Sequence, residues 1–220
     1  MSTLFVARME DLLDLYAESN DPQRPVICVD EYPLALTAPT RAPRPVAPGH
    51  IARHDYEYVR CGSCALFGAF QPLAGWRTVQ VHERRTAQDF ATFLQTLVDE
   101  HFPAATTLRL VVDNLNTHTL AALYDTFPAA EARRIARKLE FHFTPAHGSW
   151  LNMIEIEWSV LAQQCLTRHL PDRPTAQAEI DAWVTRRNAQ QATVQWRFTT
   201  PDARQKMAAL YPTGRTTGSQ

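Results

Sequence analysis

The sequence offers almost no net charge, because 22 lysines and arginines stand against 23 aspartates and glutamates, leaving −1. A protein that holds a polyanion by charge alone is usually basic, so any such affinity must come from cations segregated on one face or from another domain. Long apolar runs are also missing. No stretch approaches the roughly 18 consecutive apolar residues of a membrane span, and Met1–Glu10 lacks the basic-then-apolar layout of a signal peptide. A soluble, cytoplasmic chain with no membrane partner is expected. Cysteine is scarce: Cys28, Cys61, Cys64 and Cys165 are too few and too scattered for a disulfide framework, which suits a reducing compartment. There is no internal repeat.

What is present is enough apolar material for one packed domain, with 45% hydrophobic and 10% aromatic residues in 220 positions. Val6, Met9, Leu13 and Tyr16 are spaced for a short N-terminal helix, and residues 1–24 are expected to be that helix and a linker. Pro25–Val29 is a nearly continuous apolar run, as in a strand covered on both faces, and is expected to end on Asp30-Glu31. The prolines from Pro33 to Pro48 predict an extended excursion, an insertion loop over residues 33–55. Cys64–Phe70 and Trp76–His82 read as an antiparallel pair around a Gln71–Gly75 turn. Thr86 with Asp89 three residues on resembles a capping box, ahead of a helix burying Phe90, Phe93, Leu94, Leu97 and Val98.

Leu108–Val112 is a fourth strand ending on Asp113, helical segments follow at Leu120–Tyr124 and Ala129–Lys138, and Leu139–Phe143 alternates as a fifth strand. Ser149 is expected to cap a helix with a stripe of Leu151, Ile154, Trp158, Leu161 and Cys165, with Trp150 and Trp158 both in the core. Further helices are expected at Thr175–Asn188 and from Thr200 through Leu210, before a disordered tail at 212–220. The order predicts an α/β domain over residues 25–211 with mixed strand directions and extra C-terminal helices.

Three carboxylates stand out by position. Asp30 and Asp113 each end an apolar strand, and ligands of open α/β sheets sit outside the carboxyl ends of parallel strands. Glu155 lies at the edge of an apolar helical stripe, where an unpaired acid is costly. Any one of them alone is better read as a cap, a turn residue or a solvated first-turn acid. Converging, they would repel one another unless a cation stood between them, and all-oxygen donors select magnesium or manganese. Two such ions about 4 Å apart serve in-line displacement at phosphorus.

The segments Val29-Asp30-Glu31, Val112–His118 and His147–Glu155 together resemble bacterial insertion-sequence transposases of the mariner superfamily, over roughly residues 25–210. The resemblance implies an RNase H-like core, a mixed five-stranded sheet flanked by helices. It implies Asp30, Asp113 and Glu155 as catalytic triad and metal ligands, two Mg2+ or Mn2+ ions, and metal-dependent DNA strand cleavage and strand transfer. It also implies transposon-end and target DNA as partners, a homodimer, a separate helix-turn-helix region for finding the ends, and work at the bacterial nucleoid. The alternatives are an inactive or truncated fragment that only binds DNA or a subunit, and an RNase H-like nuclease acting on another nucleic acid.

Arg41, Arg44 and Arg53 around the proline-rich excursion are DNA-binding candidates, and His118 and His147 are candidates for orienting water or touching phosphate. Arg133, Arg134, Arg137 and Lys138 form a basic helical face that is either a phosphate grip or merely solvated. Cys61-Gly62-Ser63-Cys64 has zinc-like spacing, but one cysteine pair supplies half of the four ligands zinc needs.

Overall fold

A computed structural model describes residues 3–41, 57–114 and 119–211. Its centre is a five-stranded sheet: β1 (Val26–Pro39), β2 (Tyr58–Gln71), β3 (Trp76–His82), β4 (Leu108–Val112) and β5 (Leu139–Phe143), in the order β3-β2-β1-β4-β5. β2 runs antiparallel to both β1 and β3, whereas β1, β4 and β5 are parallel. This is the mixed, RNase H-like arrangement expected of the chain.

Helices cover both faces. α2 (Ala87–Thr96), α3 (Ala121–Thr126) and α4 (Ala129–Ala136) bury Phe90, Leu94, Leu123 and Ile135 against Ile27, Val29 and Leu110. On the other face, α1 (Thr3–Ala17), α5 (Ile154–Gln164), α6 (Arg173–Ala189) and α7 (Thr200–Lys206) share a core with Cys28, Leu66 and Val111. β4 is buried at every position, which is why its sequence is an unbroken apolar run rather than an alternating one.

The helix starts follow local chemistry. The Thr86 hydroxyl accepts the Asp89 N–H at 3.2 Å while the Asp89 carboxylate accepts the Thr86 N–H at 2.9 Å, a reciprocal cap that recurs at Thr199 and Asp202 ahead of α7. Asp172 caps α6, accepting the Thr175 N–H at 2.8 Å.

Several boundaries differ from expectation. β1 does not end at Asp30-Glu31 but continues through Pro33 to Pro39, paired along its length with a β2 that begins at Tyr58 rather than Cys64. β4 accompanies β1 only from Val26 to Cys28, so the rest of β1 is an edge on that side, where a residue lacking an N–H is tolerated. Ser149 does not cap α5. It opens a 3-10 turn, Ser149–Leu151, and α5 begins at Ile154 with no side-chain cap. Trp158 is buried, but Trp150 is 43% exposed, stacked on Trp196 at 6.2 Å between centroids. Residues 42–55 of the expected insertion, with residue 56, and the 212–220 tail lie outside the described residues.

Candidate active site

The register of the parallel strands brings the two aspartates together. Cys28 pairs with Val111 as the last pair of that ladder; Asp30 lies two residues further along β1, and Asp113 two residues past Val111, directly after the end of β4. Side chains two apart share a sheet face, and Cys28 and Val111 belong to the core beneath α5. Asp30 therefore points to the side of the sheet on which Glu155 begins its helix, and Asp113 lies close enough to act on its charge.

Three contacts bring α5 onto that face. Asn152, 1% exposed, donates its side-chain amide to the Val29 carbonyl at 3.0 Å, tying the turn before α5 to the residue before Asp30. Tyr16 of α1 donates its hydroxyl to the Leu151 carbonyl at 2.7 Å, fixing the same turn from the other side. Gly68, the β2 partner of Asp30, supplies room: a Cβ there would come within 2.4 Å of the Trp158 ring and 2.9 Å of Ile154. No side chain at Gly68 separates the sheet from α5, and Glu155, half-buried in the first turn of that helix, lies near enough to act on the charge of Asp30.

The electrostatics record this convergence. Asp30 is pushed from its ordinary value of 3.8 up to about 7, by burial first and then by the negative charges of Asp113, Glu155 and Glu31. The backbone N–H of Glu31, donating to the Asp30 carboxylate at 2.8 Å, works in the opposite direction. Among the described residues no group of three or more His, Cys, Asp or Glu side chains is gathered tightly enough to hold a metal ion. The donor set still fits a hard divalent cation: every donor is a carboxylate oxygen, and an acid pushed up by neighbouring acids is one whose negative surroundings a cation would relieve.

A buried ion-pair network missed in the sequence braces the same helix. Glu157, 3% exposed, lies 2.9 Å from the Arg77 guanidinium of β3 and 2.7 Å from that of Arg187 in α6. Asn188 adds three bonds, accepting the Arg77 backbone N–H at 2.9 Å and its guanidinium at 3.3 Å and donating to the Arg77 carbonyl at 2.8 Å. The partners are far apart in sequence, so no local pattern announces them.

The remaining candidates separate. His147 is exposed, in the left-handed region at φ 61°, and lines a cleft with Asn114, the neighbour of Asp113. Arg41 lies beyond the far end of β1, roughly 30 Å along the strand from Asp30. Arg44, Arg53 and His118 fall outside the described residues. Of the basic helical face, Arg134 is engaged with Asp99 at 2.7 Å and Glu131 at 2.6 Å, and Lys138 donates to the Pro103 carbonyl at 2.9 Å. The four cysteines are free. No helix among the described residues is long and apolar enough to cross a membrane.

Among solved structures the chain is similar to the Mos1 transposase paired-end complex with left transposon end, at 15% identity and a TM-score of 0.37 over 89% of this chain and 65% of that one. It is also similar to the Mos1 mariner paired end complex with Mn, at 15% identity and a TM-score of 0.35 over 88% and 64%. A third, the Mos1 Strand Transfer Complex, aligns at 16% identity with a TM-score of 0.38 over 86% and 61%. The chain thus spans just under two thirds of the length of these proteins. None of the curated proteins compared with it matches. The DDE superfamily endonuclease family matches residues 25–177, well over half of the sequence, and the chain belongs to that family.

Proposed function

We propose that this chain is the catalytic domain of a DNA transposase that cuts a phosphodiester at transposon ends and joins the freed 3′ hydroxyl to target DNA, with Asp30, Asp113 and Glu155 as its catalytic carboxylates. The observation that supports the reading is that Asp113 and Glu155 both act on the charge of Asp30, with Asp30 on β1, Asp113 just past the parallel β4, and Glu155 on a helix whose preceding turn Asn152 ties to β1. These residues would hold two Mg2+ or Mn2+ ions, which, when bound, supply activation of the attacking oxygen and stabilisation of the leaving one. The protein's own part is positional. Asn152 and Tyr16 fix the turn that delivers Glu155, Gly68 lets α5 approach, and the Arg77–Glu157–Arg187 network holds α5 against β3 and α6. The proposed assembly is a homodimer working on DNA, with a separate helix-turn-helix region finding the element ends.

The test is magnesium- or manganese-dependent nicking of element-end DNA, with Asp113→Asn expected to abolish it; undiminished cutting by that variant sinks the assignment. A second reading, a non-cutting fragment that only binds DNA or a subunit, is favoured by the absence of a tightly gathered metal cluster among the described residues. Carboxylate-dependent manganese binding separates the two. A panel containing RNA–DNA hybrids and branched DNA separates a transposase from another RNase H-like nuclease.

A further inference from the structure

The carboxyl edge of the sheet carries a cleft on each side of the three carboxylates. The first, of about 300 Å3, lies between α1 and the segment after β5, and is lined by Phe5, Arg8, Asn114, Pro145 and His147. The second, of about 200 Å3, lies past β1 and β3, and is lined by Tyr32, Ser63, Glu31, Arg84 and Arg85 among others. The strand order fixes their relation: β5 and β4 lead to the first cleft, β1 carries Asp30, and β2 and β3 lead to the second. Four strand spacings separate β5 from β3, about 19 Å, which is room for several nucleotides.

The cations at these clefts differ from many others among the described residues. Arg24, Arg109, Arg134, Arg168 and Arg204 are each held by a carboxylate. Arg8, Arg84 and Arg85 have no carboxylate partner among the described residues. Arg8 is half-buried and oriented, its guanidinium 5.7 Å from the centre of the Phe143 ring, so little freedom is lost when it takes a ligand. Glu83, the acid beside Arg84, lies 3.6 Å from Arg173, which offsets its charge.

We infer that one DNA strand crosses the carboxylates from one cleft to the other, a backbone phosphate held by Arg8 with Asn114 and His147 on one flank and by Arg84 and Arg85 on the other. This rests on the proposed DNA substrate and adds the path. It also fits the near-zero net charge: affinity needs only the unpaired cations beside the site, whereas Arg24, Arg77, Arg109, Arg134, Arg168, Arg187 and Arg204 neutralise the protein's own acids.

The experiment is metal-free binding of a fluorescein-labelled duplex and of a single strand of the same sequence, followed by anisotropy across a sodium chloride series. Arg8→Ala is expected to weaken binding roughly five-fold and to lower the log–log salt slope by about 0.7–0.9, and the Arg84→Ala/Arg85→Ala pair by about twice that slope. Arg8→Lys keeps the slope, as a charge contact requires. Arg133→Ala/Arg137→Ala, on the opposite sheet face, leaves both unchanged. Equal losses in all three alanine variants, or a loss on one flank alone, overturn the path, and circular dichroism melts establish that each variant is folded. Because binding is read without cutting, a chain that binds along this path yet never nicks DNA defeats the transposase reading and leaves the path standing.

Discussion

Asn152 and Val29 share a buried hydrogen bond that crosses from the turn before α5 to the strand residue preceding Asp30. It links the neighbourhoods of two of the three acids through one hydrogen bond: Val29 is adjacent to Asp30, and Asn152 precedes Glu155 by less than one helical turn. Asn152→Ala leaves the Val29 carbonyl buried and unpaired, at a cost of about 1–3 kcal/mol. The expected result is a lower melting temperature with DNA cutting reduced further than DNA binding. Equal activity at matched folded fraction would deny Asn152 a positioning role.

Gly68→Ala tests the approach of α5 to the sheet. The added methyl would come within 2.4 Å of the Trp158 ring, and overpacking of this kind costs about 1–3 kcal/mol. Trp158→Phe in the same chain, by removing the outer ring, should recover part of the loss. Purely additive destabilisation in a double-mutant cycle would mean the two positions do not meet.

Asp30 sets a pH dependence. Its folded value of about 7 lies above the ordinary 3.8, so the folded state holds this proton more tightly than the unfolded chain does. Below about pH 4 both states are protonated and nothing is lost; as pH rises from 4 to 7 the unfolded chain ionises first and stability falls; above 7 the full penalty is present. With screening of a partly exposed group it amounts to roughly 2 kcal/mol, or about 4–8 °C in melting temperature. Metal-free Asp30→Asn should flatten that profile, and Mg2+ or Mn2+ should raise the melting temperature of the parent chain most above pH 7. An unaltered profile in Asp30→Asn would remove Asp30 as its source.

Glu155 and Glu157 sit two residues apart on one helix and should respond oppositely. Glu157→Gln strands Arg77 and Arg187 without their shared counter-charge, a loss of about 3 kcal/mol or more in thermal or denaturant unfolding. Glu155→Gln relieves repulsion on Asp30 and should leave stability equal or higher while abolishing cutting. A destabilised Glu155→Gln would make that residue structural.

The legible parts of this protein are those written in local patterns. Leu108–Val112 reads as a doubly covered strand because nothing polar interrupts it, and Thr86 with Asp89 announces α2 because both halves of the cap lie within one turn. Asp30 and Asp113 can be paired from their places at the ends of apolar runs, since parallel strands align their carboxyl ends. Pro33 misleads because a residue without an N–H is excluded from a central strand but tolerated on an edge, and only the extent of β4 makes that stretch an edge. Trp150 misleads because its spacing matches the buried stripe of α5, while the 3-10 turn lifts it off the helix. The partners of Asn152 and Glu157 are separated from them by at least 30 positions, and no periodicity encodes them.

The length of β1 gives the candidate site a mechanical handle. Asp30 shares one strand with Thr37 and Pro39, paired with β2 on both sides of a single register shift, so a load applied at the outer end of the strand pair travels along paired backbone rather than through a slack loop. A slip of one residue would turn Asp30 to the opposite side of the sheet. The register shift between Leu36 and Thr37 lies between that outer end and the acid, and acts as a compliant joint: misalignment arising beyond it can be absorbed there, leaving Asp30 opposite Gly68.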